Sequence, residues 1–90
     1  MNIEMETITK NSTLVEAIQR EINICDSAVK RYEKILNKFE KKYHLTSQQF
    51  NDRFNKGTLG DDHDFFEWYA IYDYYHDWVN RRQTLREFLV

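Results

Sequence analysis

The sequence predicts an all-α fold: an antiparallel, coiled-coil-like hairpin of two long helices, with a short helix at the turn and a short N-terminal strand or extended segment. Three observations predict it. The 90 residues contain no proline and only two glycines, Gly57 and Gly60, too little turn punctuation for a β-rich or loop-built catalytic domain. Two long stretches repeat apolar residues at alternating spacings of three and four, the seam of a helix made to pack on another helix. Charge then sets direction. Residues 30–42 sum to +4 and residues 60–78 to −6, while residues 13–29 sum to −2 and residues 79–90 to +2. An antiparallel arrangement lays both complementary pairs side by side.

Residues 1–12 read as a segment apart from a single helical domain at 13–90. Ile3, Met5 and Thr7 alternate with Glu4, Glu6 and Ile8, a short period-2 signal for one strand. Nothing else in the chain reads as β, so such a strand either frays or pairs with another copy or another protein. Lys10-Asn11-Ser12-Thr13 is a polar break, and Thr13-x-x-Glu16 matches a capping box that opens a helix over 14–43. Its seam is Val15, Ile18, Ile22, Cys25, Val29, Tyr32, Leu36, Phe39 and Tyr43.

Thr46-x-x-Gln49 offers a second capping box, for a short helix over 47–56 with Phe50 and Phe54 on one face and Gly57 as its stop. Asp61 and Asp62 supply an N-cap and acidic first turn for a third helix over 62–89. Trp68, Ile71, Tyr75, Trp78, Arg82, Leu85 and Leu89 form its seam, flanked by Phe65, Tyr69, Tyr72, His76 and Val79. Together the two stripes cover roughly 200° of the helix. One hairpin partner covers less than that, which predicts dimerisation into a helical bundle.

Charge and composition exclude several functions. The net charge of −2 is wrong for a dedicated nucleic-acid binder. The rings within the basic run, Tyr32, Phe39 and Tyr43, lie on the seam, so nucleic acid is not expected as a direct ligand. The acidic N-terminus Met1–Glu6 has neither the basic n-region nor the apolar h-region of a signal peptide, and no stretch of roughly 18 apolar residues occurs, which predicts a cytoplasmic protein without a membrane partner. Cys25 falls on the seam as a small hydrophobe, and no Gly-rich phosphate cradle or nucleophile turn is present. No enzyme activity and no cofactor are expected. Asp61-Asp62-His63-Asp64-x-x-Glu67 and Asp73-x-x-His76-Asp77 hold carboxylates and imidazoles at ligand-like spacings. Neither completes a metal site alone, and a metal-binding bundle using His63 and His76 stands as a second alternative reading.

Eight of the fourteen aromatic residues fall within residues 65–78. Tryptophan and tyrosine combine large area with few rotamers and a polar tip, which suits them to interfaces. The expected partner-binding set is Asp61, Asp62, Asp64, Phe65, Phe66, Trp68, Tyr69, Tyr72, Tyr75, His76 and Trp78: rings with an acidic rim, facing a basic protein. A homodimeric scaffolding bundle is the first alternative.

The stretch from Lys56 to Tyr69, centred on Leu59-Gly60-Asp61-Asp62-x-Asp64-Phe65-Phe66-Glu67-Trp68, resembles a motif of small prokaryotic helical proteins of about this length. Lys42–Phe50 and Glu6–Thr9 fit the same pattern. The resemblance implies an antitoxin-like protein that binds and neutralises a small toxin, with no catalytic residues and no cofactor. His44 and His63 stand at variable positions of the motif and inherit no role.

Overall fold

The computed structural model describes the backbone of residues 2–90 and the side chains of residues 12–90. Three helices follow one another: α1 (Asn2–Tyr43), α2 (Ser47–Asn55) and α3 (His63–Phe88). Helices α1 and α3 run antiparallel and make the main contact, and α2 packs across both at the turn. The particle measures 67 × 22 × 19 Å, about the length of α1 alone at 1.5 Å per residue. Among the described residues, no helix is long and apolar enough to cross a membrane.

The expected N-terminal strand is corrected. The backbone of residues 3–8 is helical, and Thr13 lies inside α1 rather than at its start. Six alternating residues have no second strand to pair with among the described residues. Extending an existing helix closes their backbone hydrogen bonds locally, without a new nucleus. The side-chain alternation of residues 3–8 lies outside the described side chains.

From Ile18 onward the predicted seam packs as expected. Ile22, Cys25, Val29 and Leu36 are buried, and Tyr32, Phe39 and Tyr43 are half-buried against α3. Leu14 and Val15 are exposed. The second capping box forms in full: Thr46 Oγ1 accepts from Gln49 N at 3.1 Å, and Gln49 Oε1 accepts from Thr46 N at 3.0 Å. Gly57 ends α2 as predicted. Its φ of 68° lets Thr58 N reach Arg53 O and Gly57 N reach Phe54 O, both at 3.1 Å, closing a Schellman motif. Asp62 caps α3, its Oδ1 accepting from Asp64 N at 2.9 Å.

Helix α1 ends differently. His44 adopts φ 54°, a left-handed conformation that costs a side-chain-bearing residue about 1–2 kcal/mol. We predict that His44→Gly raises stability by about 0.5 kcal/mol, because relief of strain exceeds the extra entropy of an unfolded glycine. Thermal denaturation checks this, and a lowered midpoint refutes it.

The core concentrates at the turn. Leu36, Phe50 and Trp68 are buried together, with Phe39, Tyr43, Phe54, Phe65 and Tyr72 packed around them. Trp68 stacks on Phe50 at 4.0 Å between centroids and on Phe39 at 5.5 Å. Its Nε1–H donates to Ser47 Oγ at 3.0 Å, in a site where Trp68 is 0% exposed. Ser47→Ala leaves that donor unpaired and is expected to cost about 1–3 kcal/mol. Chemical denaturation measures it, and a loss below about 0.5 kcal/mol contradicts the assignment.

Candidate protein-interaction surface

The structure divides the expected partner-binding residues into three groups, and α2 does the dividing. Phe50, the inner ring of α2, takes Trp68 and Phe65, the latter at 5.8 Å between centroids. Trp68 therefore belongs to the core and not to a partner surface, which corrects its sequence assignment. The hairpin seam alone is too narrow for eight rings, but the short helix adds a second wall for them. Phe65 is half-buried and also meets Tyr43 at 5.2 Å.

Asp64, Tyr72 and Tyr75 serve mainly within the chain. Asp64 Oδ2 accepts from Lys42 Nζ and from Tyr43 Oη, both at 2.6 Å, and so ties the start of α3 to the end of α1. The lysine hydrogen bond first, then the tyrosine, holds the Asp64 carboxyl below the usual carboxylate range. The same carboxylate pushes the Tyr43 hydroxyl and the Lys42 ammonium up. Burial raises Tyr72 and Tyr75, with Glu33 adding to the shift at Tyr75, whose hydroxyl donates to Glu33 Oε1 at 3.5 Å.

The third group is left outward. Phe54, the outer ring of α2, stacks on Tyr69 at 4.6 Å and meets Phe66 edge-on at 5.8 Å. Phe66 nevertheless remains 57% exposed and Tyr69 39% exposed. Asp62, Phe66, Tyr69 and Asp73 follow at spacings of 4, 3 and 4, which sets both rings and both carboxylates on one ridge of α3. No lysine or arginine occurs on α3 before Arg81. Asp61 lies exposed just ahead of this ridge, and His76 is exposed a turn beyond Tyr72, whose ring it meets edge-on at 4.4 Å.

Trp78 is half-buried on another side of α3, with Arg81 over its ring at 5.6 Å. Ile24, Ala28 and Arg31 of α1 line a groove with it. Sequence reasoning missed Phe54 and Ile24 as surface-forming residues. The i, i+4 spacing of Phe50 and Phe54 marked a shared face, but not which ring would be covered. Ile24 lies off the heptad seam, in a row that alternates apolar with basic residues.

No group of three or more His, Cys, Asp or Glu side chains stands close enough to hold a metal ion among the described residues. His63 and His76 stand 13 residues apart on α3, roughly 20 Å along the helix. They cannot share a ligand. A cleft between α1, α2 and α3 has Glu33, Glu40, Tyr72 and Tyr75 in its lining, with no lysine or arginine, and repels anions.

In comparison with known proteins, the chain matches no family model, no curated protein and no solved structure. The motif at residues 56–69 thus carries a resemblance and no family membership.

The Asp64 knot has a signed pH dependence. Because the folded carboxyl titrates below its ordinary value of 3.8, its stabilisation is complete above the unfolded range and fades as pH falls through the lowered pKa. Asp64→Asn is expected to lower stability at pH 7 and to flatten its acid decline. Denaturation midpoints from pH 7 to about 2 check this, and a parallel, merely offset profile refutes it.

Proposed function

We propose that this chain is a protein–protein interaction module that captures a basic protein partner through the ridge of Phe66 and Tyr69. The resemblance at residues 56–69 gives the partner a class: a small toxin, held and neutralised by an antitoxin-like protein. One observation carries the reading. Phe54 seats the rings of Phe66 and Tyr69, yet a third or more of each ring residue stays exposed between Asp62 and Asp73. Seated rings lose little freedom on binding, so their contact area contributes to affinity with a small entropic cost. The carboxylates steer a basic partner and repel an acidic one. No catalysis is assigned to the chain.

Phe66 and Tyr69 both belong to the expected partner-binding set, and this reading narrows that set to the two exposed rings of the ridge. Replacing both Phe66 and Tyr69 with Ala is expected to leave helicity intact and to remove a small basic protein from native-lysate pull-downs. Raising salt toward about 1 M, where the screening length falls to about 3 Å, should slow association in the unmodified chain. Retention of the same protein by the double variant refutes the ridge.

A second reading, a homodimeric helical bundle, is favoured by surface area. The chain exposes 7032 Å², whereas a compact monomer of its 11.1 kDa exposes about 5,700 Å². The excess is larger than the roughly 800 Å² per partner that a standard interface covers.

A further inference from the structure

Resting on that second reading, we propose that two copies pack through the side of the hairpin carrying Ile24, Ile35, Tyr74 and Trp78, about a two-fold axis parallel to the helices. The surface is distinct from the Phe66–Tyr69 ridge. On α1, Arg20, Ile24, Arg31, Ile35 and Lys38 recur at spacings of 4, 7, 4 and 3, one side of the helix. On α3, Glu67, Tyr74, Trp78, Arg81 and Leu85 recur at 7, 4, 3 and 4. The two rows share one side of the hairpin, because Trp78 lines one groove with Ile24 and Arg31 and another with Tyr74, Asp77 and Arg81, which brings Asp77 to the edge of this side. Ile24 is 50% exposed and Tyr74 52% exposed.

Charge complementarity selects the occupant. Four salt bridges cross between α1 and α3 among the described residues: Lys42–Asp64, Arg81–Glu21, Arg82–Asp26 and Arg86–Asp26. Three of them lie at the open end. At the turn end only Lys42–Asp64 forms, so most of the +4 of residues 30–42 and the −6 of residues 60–78 is left without an ion pair inside the chain. Arg31 lies over its neighbour's ring, Tyr32, at 5.2 Å. A second copy brings both missing signs at once.

The register follows from the contacts within one hairpin. Tyr32 is level with Tyr74, and Phe39 with Trp68. A two-fold axis parallel to the helices sets α1 of each copy over α3 of the other and keeps those heights. Arg31 then meets Asp77 of the second copy, and Lys38 meets Glu67 of the second copy. Ile35 lies against Tyr74 of the second copy, and Ala28 against Trp78 of the second copy. An axis perpendicular to the helices sets α1 on α1 and leaves the +4 and −6 halves apart. By symmetry each contact occurs twice, so one substitution acts twice.

Sedimentation equilibrium of the full chain tests the proposal, with circular dichroism confirming the fold of each variant. The unmodified chain is expected to be dimeric at about 100 μM. Arg31→Glu and Asp77→Arg are each expected to weaken the dimer about tenfold, and the double exchange to restore it. Ile24→Lys, at an exposed position, should give folded monomers, while the Phe66→Ala, Tyr69→Ala chain should stay dimeric. A monomeric unmodified chain overturns the homodimer reading itself. A dimer indifferent to Ile24→Lys and Arg31→Glu keeps that reading but overturns this surface. Weakening without restoration in the double exchange overturns the proposed axis.

Discussion

Trp68 is the point on which the arrangement of the three helices depends. Its indole belongs to α3, its stacking partner Phe50 to α2, and its flanking rings Phe39 and Tyr43 to α1. A buried indole N–H must be paired, and Ser47 Oγ is the acceptor. That requirement fixes the first residue of α2, whose backbone N–H is in turn held by Glu40 Oε2 at 2.7 Å. The capping box of Thr46 and Gln49 then sets the direction in which α2 leaves. One hydrogen bond and one ring stack thus determine where Phe54 lies, and Phe54 determines which rings of α3 stay outside.

The consequence is a molecule with unequal ends. At the turn, three helices enclose large rings. Away from it, the interface narrows to two helices meeting over Ile22, Cys25, Ala28 and Val29, supported by the arginine pairs to Glu21 and Asp26. Pairs this exposed contribute about 0–1 kcal/mol each, so they align the helices more than they hold them. Local opening should begin at the open end, where Leu14, Val15, Phe88 and Leu89 have little to pack against.

What the sequence made legible was local or periodic. The seam from Ile18 to Tyr43, the Thr46–Gln49 box, the Gly57 stop and the Asp62 cap each depend on residues within a few positions, or on a repeat that only one face can satisfy. The antiparallel direction was legible from charge because four block sums had to match at once. The division of the aromatic band was not legible. It rests on a long-range choice, namely which of Phe50 and Phe54 points inward, and both orientations keep the same i, i+4 spacing. The strand reading of residues 3–8 failed because six alternating residues compete poorly with an adjoining helix. His44 ends α1 without the glycine or asparagine that marks a left-handed cap, so nothing in its identity announced the turn.

Electrostatics links the fold to its surfaces. The hairpin satisfies its charges at the open end and leaves them at the turn end, with the cationic half of α1 and the anionic half of α3 side by side along the same stretch. Such a pair has a strong transverse field and a small net charge, which suits recognition by sign better than non-specific attraction. In the proposed function a basic partner is drawn to the ridge of α3, where Phe66 and Tyr69 offer buried area on contact. In the proposed dimer a second copy, approaching from the Trp78 side, is drawn by both halves together. The two occupants need not compete, because the ridge rings and the Trp78 groove lie on different sides of the same helix. If both proposals hold, dimerisation through the groove sets two ridges on one particle, and a partner with two matching patches gains from the raised effective concentration of the second ridge.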